Sequence, residues 1–221
     1  MKKIIVSIVL SLFALNTASA DVGIKVGVAG SAGLFAGTAK ESQTGNSVSD
    51  PTENRKKSEL MGAGFASIFI EKSLGRFAIG VDYVPSAIET ETVESTRNHI
   101  TTAFEEVRTR VENKVQVDFE DLTTYYISFN LTEGLYGKFG IAHVDVNTNE
   151  SLGTGAAYGD TDMEATVMGF GYDAQFDNGV FVRTEANYMD FDGVSLTSGD
   201  NTISVSSLAG VSGKLAIGRA F

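Results

Sequence analysis

The chain has 221 residues, a net charge of −11, no cysteine, 24 glycines and only two prolines. Without cysteine there is no disulfide framework, and an acidic balance excludes the basic footprint that nucleic-acid binding needs. Aromatic residues at 10% set the chain apart from disordered polymers.

Residues 1–20 read as a cleaved export signal. Lys2 and Lys3 supply the positive start, Ile4 to Leu15 the apolar run, and Ala18-Ser19-Ala20 the small-residue cleavage site. The domain proper is then 21–221. Its charge becomes −13 once Lys2 and Lys3 leave with the signal. No stretch of 18 apolar residues follows, so no transmembrane helix is expected. Mean hydropathy near zero suits a sheet whose two faces alternate between lipid and lumen.

Period-two alternation recurs through the rest of the chain. The first strand sets Ile24, Val26 and Val28 against Lys25, Gly27 and Ala29. From Val115 to Leu131, odd positions are mainly apolar and even positions mainly polar, a run longer than the 9 to 11 residues or so of a membrane-crossing strand. The last strand places Ala209, Val211, Gly213, Leu215, Ile217, Arg219 and Phe221 on one face, with small residues and Lys214 on the other. Eight strands are predicted, at about 22–37, 60–73, 76–95, 113–131, 135–149, 162–177, 180–197 and 202–221.

Between them, Leu74-Gly75-Arg76, Thr132-Glu133-Gly134 and Asp177-Asn178-Gly179 are tight turns. The segments 38–59, 96–112 and 150–161 are predicted as long connections, and Gly199-Asp200-Asn201 as a short one. Loop 38–59 contains Asp50-Pro51. In 96–112, Ile100, Ala103, Phe104, Val107 and Val111 fit a short helix, while Val107, Thr109 and Val111 equally fit a back-extension of the following strand. Phe77, Phe129, Phe139, Phe176, Phe181 and Phe221 cluster near the short turns or the C-terminus, as an interfacial aromatic girdle would.

Short turns alternating with longer connections are the mark of an outer-membrane barrel. An open sheet edge is excluded in hydrocarbon. The fold class expected is therefore an all-β, closed, antiparallel, up-and-down eight-stranded transmembrane β-barrel. Gly23, Gly27, Gly140, Gly169, Gly171, Gly210 and Gly218 fall on its predicted inner face, where space is tightest.

With these features the chain resembles the small eight-stranded outer-membrane barrel superfamily, which includes the OmpA membrane domain, OmpX and the opacity-type surface proteins. The segment 213–221 resembles the C-terminal signal by which the outer-membrane assembly machinery recognises such chains, with Leu215, Ile217 and Phe221 at its apolar alternate positions. Arg219 stands where that pattern usually carries an apolar residue; its head group can snorkel. The resemblance implies an integral protein of a Gram-negative outer membrane, its loops extracellular and its termini periplasmic. It would be a monomer whose partners are outer-membrane lipids, lipopolysaccharide and the assembly machinery.

The inner face is predicted to carry Asp82, Asp118, Glu120, Lys138, Asp173, Arg183, Glu185 and Lys214. Charges in so narrow a lumen must find partners. A lumenal ion-pair cluster of Arg183, Glu185, Lys138 and Asp173 is expected. It would either plug the lumen or line a narrow ion path.

Catalysis is not expected. His143, in Ala142-His-Val-Asp145, and His99 are the two histidines, and neither has the serine two residues on that lipid A deacylases share. Asp160-Thr-Asp162 and Asp190-Phe-Asp-Gly193 lack the spacing of a calcium loop. No cofactor or metal is implied. The function expected is structural or surface-interacting, with a small porin-like channel as the alternative and a lipid A-modifying enzyme as a further one.

Overall fold

Alternating apolar and small or polar residues favour extended backbone, because each face then meets one environment. The computed structural model describes residues 23–43, 53–89, 93–102, 105–152, 158–198 and 201–221. The export signal at 1–20, Val22, Asp50-Pro51, Ala103-Phe104 and Gly199-Asp200 lie outside the described residues, as does the side chain of His99.

Among the described residues eleven strands occur in chain order: β1 (Ile24–Gln43), β2 (Glu53–Leu74), β3 (Phe77–Tyr83), β4 (Ile88–Glu89), β5 (Val93–Thr102), β6 (Glu105–Asn130), β7 (Leu135–Leu152), β8 (Thr161–Gln175), β9 (Val180–Phe191), β10 (Val194–Ser198) and β11 (Asn201–Ala220). No helix occurs among the described residues. The ring runs β1-β2-β3-β6-β7-β8-β9-β11 and closes by β11 pairing with β1. All ladders are antiparallel. The expected eight-stranded barrel therefore stands, with β4 and β5 continuing the third stave along β6 and β10 continuing the seventh along β11.

The register fixes the tilt. Following partners round the ring from Ile70 leads through Val81, Tyr125, Ile141, Thr166, Asp190, Ala209 and Ala36 to Leu60, ten residues from the start on the same strand. An eight-stranded barrel with that stagger has steeply inclined strands and an interior that side chains can fill.

The tight turns form where expected. Gly75 and Gly179 take left-handed backbone, φ +70° and +80°, which glycine adopts without a Cβ penalty. Asn178 accepts a bond from the Val180 amide through its side-chain oxygen, 3.0 Å. Ala220 donates to the Gly179 carbonyl, and Phe221 exchanges two backbone bonds with Ile24. The two described chain ends thus sit at the end that carries the short turns.

The long connections are corrected. Ladders continue through most of 38–59, as β1 pairs with β2 out to Gln43 and Glu53. In 96–102 and 105–112 the backbone pairs as β5 with β6, so among the described residues the strand extension holds and the helix does not. The spacing of the apolar residues there fits either element, and the backbone pairing decides for the strand.

A second correction concerns β6. The ladder to β7 jumps from Glu120↔Asp145 to Thr123↔His143, so one extra residue is inserted. Asp121 takes φ +52° at this bulge. The insertion swaps the faces. Val117 and Phe119 turn inward against the apolar core. Asp118 pairs beside Asn147 on the outward row and accepts a bond from Asn149, 2.5 Å. Asp118 and Glu120 are therefore not lumenal.

The outward face is apolar where the ring is complete. Phe170 is 64% exposed and Leu215 68%, and Phe77, Ile127, Phe139, Met168, Val182 and Val211 join them. Outward positions are uncharged from Thr166 to Phe176 along β8, from Val180 to Tyr188 along β9 and from Ala209 to Ile217 along β11. Of the six phenylalanines assigned to the girdle, Phe77, Phe139 and Phe176 are exposed and Phe129 stacks on Phe77, ring centroids 5.0 Å apart. Phe221 is half-buried. Phe181 is the exception: it is fully buried in the lumen, edge-on to Phe69. It lies two and four residues before Arg183 and Glu185, and so shares their inward face.

Candidate functional site: a lumenal ion-pair network

The lumen has two layers. Towards the hairpin end it is apolar, filled by Phe35, Leu122, Val144, Met163, Val167 and Met189. Towards the short turns it is ionic. Inward positions of seven strands put eight charges there, four acids (Glu71, Asp82, Asp173, Glu185) and four bases (Lys25, Lys138, Arg183, Lys214), a neutral set.

Arg183, on β9, is the centre. Its Nε donates to Asp173 Oδ1 at 2.6 Å and one terminal nitrogen to Oδ2 at 2.8 Å, a two-point clamp across the β8–β9 pair. The terminal nitrogens also donate to both Glu71 oxygens, at 3.1 and 3.2 Å, across the lumen on β2. The guanidinium lies over three rings, Tyr136 at 4.9 Å, Phe69 at 5.1 Å and Phe181 at 5.6 Å. Planar charge held between carboxylates and aromatic faces is what arginine does and lysine cannot. Lys25 completes the Asp173 carboxylate at 2.8 Å.

The second centre is Glu185. Lys138, its partner on β7, donates to one oxygen, and the Tyr136 hydroxyl donates to the other at 2.6 Å. Lys138 also sits 4.9 Å from the centre of the Tyr126 ring, and the Tyr126 hydroxyl donates to Glu71 at 3.1 Å. Lys214 pairs with Asp82. Every charge is thus met by an opposite charge, a hydroxyl or a ring. That is the condition for keeping ions in a low-dielectric interior.

Glycines make room. A Cβ on Gly27 would stand 2.6 Å from the Phe69 ring, and one on Gly140 would stand 2.9 Å from Tyr126.

The structure brings Arg183 to Asp173 and Glu185 to Lys138, and joins the two pairs through Glu71, Tyr126 and Tyr136. Sequence reasoning missed Glu71, the two tyrosines and the role of Lys25. The inner-face parity of Phe69 and Glu71 was the available signal, hidden because Ile70 between them is apolar too.

The residues of the C-terminal pattern point outward: Leu215 and Ile217 are exposed, and Phe221 lies under the Arg219 guanidinium at 5.6 Å. His143 is also on the outward face, 3.5 Å from Asp145, both about half exposed. Among the described residues no group of three or more His, Cys, Asp and Glu side chains could hold a metal ion.

No family model matches the chain, and no curated protein matches its sequence. Among solved structures it is similar to Ail, the attachment invasion locus protein of Yersinia pestis, crystallised with the heparin analogue sucrose octasulfate. There the identity is 10%, the match covers 84% of this chain and 98% of that one, and the TM-score is 0.33. Neisserial surface protein A matches at 10% identity, over 87% and 97% of the two chains, TM-score 0.37. The outer membrane protein OprG from Pseudomonas aeruginosa matches at 12% identity, over 87% and 97%, TM-score 0.43.

Proposed function

We propose that the chain spans the outer membrane of a Gram-negative bacterium as a monomeric, non-enzymatic barrel with a structural or surface-interaction role. Short turns and described termini face the periplasm, and the long hairpins face outward. One observation carries this: an uncharged outward belt about the length of a membrane-crossing strand encloses a lumen filled with side chains. Exposed apolar residues on this scale are unsuited to water and suited to lipid and lipopolysaccharide tails.

The same filling argues against the channel alternative. An ion would have to pass both a neutral, fully paired ionic layer and the apolar layer above it. Catalysis is equally unsupported, since His143 faces outward beside Asp145 rather than into an enclosed site. Leu215, Ile217 and Phe221 lie on the closing strand β11, where the assembly machinery would read them before β11 pairs with β1.

Two measurements test the proposal. Refolded protein should migrate at an altered apparent mass in unheated SDS and return to its chain mass on boiling. In planar bilayers it should give no unit conductance. A folded, water-soluble form without detergent would overturn the membrane assignment, and a stable single-channel current would restore the channel.

A further inference from the structure

On the outer face of the β10-β11-β1-β2 blade, four residues lie in one cross-strand row: Ser195, Ser204, Lys40 and Lys56. The alternation fixes the side. Leu34 and Ala36, both exposed, precede Lys40 at steps of two on β1, and the exposed Leu60 follows Lys56 at steps of two on β2. Among outward-facing positions, Lys40 and Lys56 are therefore the first charges met on those two strands beyond the apolar belt at the hairpin end. Between belt and lysines stand Thr38 and Ser58, whose hydroxyls share a hydrogen bond of 2.9 Å. The Ser195 and Ser204 hydroxyls share another, also 2.9 Å.

Two lysines directly opposed in a ladder repel each other, and no acid lies in their row. On the outward face, Asp190 and Asp192 fall on the β9 side, while Glu41 and Glu59 on β1 and β2 have the opposite parity and Glu59 pairs with Lys57. In a chain with 28 acids and 17 bases, a basic row flanked by hydroxyls is an outlier. The row also sits one step beyond the surface that lipid tails would cover, where the headgroups of that leaflet lie.

We propose that Lys40 and Lys56, with the neighbouring hydroxyls, bind the phosphorylated sugar headgroup of a glycolipid of the outer leaflet. A phosphate between the two ammonium groups would turn their repulsion into two charge-assisted bonds. The hydroxyls would meet the sugar, while Leu34, Leu60 and Val211 would lie against the acyl chains. The inference rests on the membrane assignment above.

The test uses the full chain in zwitterionic micelles, with bound lipid counted by native mass spectrometry. The unaltered chain should bind bisphosphorylated lipid A at least tenfold more tightly than dephosphorylated lipid A. Lys40→Gln with Lys56→Gln should remove that preference, and Arg76→Gln at the opposite end should leave it intact. Lys40→Glu supplies the second arm: it makes an opposite-charge pair with Lys56, so folding should be maintained or strengthened while binding falls at least tenfold. Equal binding by the lysine variants and the unaltered chain would overturn the proposal. So would competition by inorganic phosphate at concentrations comparable to the lipid, or tighter binding of a soluble sulfated sugar than of lipid A. A chain that never enters micelles would instead refute the membrane assignment, so the two failures are distinguishable.

Discussion

The Tyr83 hydroxyl donates to the carboxylate of Asp121, the residue whose positive φ marks the bulge in β6. The contact pins the third stave to the fourth where β3 ends. The bulge itself decides what fills the hairpin end of the lumen. With it, Val117 and Phe119 point in and Asp118 and Glu120 point out. Deleting Asp121 would reverse that, forcing two carboxylates into an apolar layer without partners. We expect the deletion to cost more than about 3 kcal/mol, or to prevent folding, since uncompensated buried charge is among the most destabilising changes known. Asp121→Gly keeps the extra residue and suits φ +52°, so it should lose only the Tyr83 bond, about 1 kcal/mol. Denaturant midpoints in micelles separate the two; a tolerated deletion would show that the bulge does not set the faces.

That bulge also shows where sequence reading stopped. Alternation made the strands, the three tight turns and the closing strand legible, because each of their faces meets one environment. On β6 the parity break was already written: Asp121 falls on the otherwise apolar face and Leu122 on the polar one. A single register read across both segments sent Asp118 and Glu120 to the wrong side. The loop extensions were hard to read for a different reason: 38–59 carries almost no apolar residue to mark a face, and in 96–112 the apolar spacing fits helix and strand alike. Within the ionic network, Arg183 and Glu185 were visible from their spacing. Glu71 was not, because its approach to Arg183 spans 112 residues and depends on barrel closure.

Removing one member of the network should be costly, and removing a matched set should not. Arg183→Met leaves Glu71 and Asp173 in the lumen with only Lys25 and Tyr126 to meet them. A loss of about 3–5 kcal/mol is expected from breaking a buried pair on one side. Changing Lys138→Met, Glu185→Leu and Tyr136→Phe together removes a complete subset with its hydroxyl. That triple variant should stay within about 1–2 kcal/mol of the unaltered chain or exceed it in stability. If Arg183→Met costs less than the triple variant, the clamp is not the centre of the network.

Gly171 tests how closely wall and network are fitted. A Cβ there would fall on the Tyr136 hydroxyl and within 2.8 Å of the Thr184 carbonyl oxygen. Gly171→Ala should therefore push Tyr136 away from Glu185 and cost about 1–3 kcal/mol, the usual range for overpacking. Gly137, whose Cβ would meet nothing within 4 Å, is the outward control. Gly137→Ala should change stability by no more than about 0.5 kcal/mol. Combining Gly171→Ala with Tyr136→Phe should recover part of the loss, because the clashing oxygen is gone; no recovery would place the strain on the backbone contact instead.

The depth of the belt can be read from arginine substitutions on one strand. Phe170 lies near the middle of the uncharged outward run on β8, and Phe176 lies at its turn end beside Asp177. Both are exposed, so neither substitution disturbs the lumen. In lipid, Phe170→Arg should cost about 2–4 kcal/mol and Phe176→Arg only about 0–1 kcal/mol, because a head group near the interface reaches water. The measurement is refolding equilibrium into phospholipid vesicles as a function of denaturant. In a water-soluble sandwich both arginines would be surface replacements of similar small effect, so equal costs at the two depths would remove lipid from the account of this face.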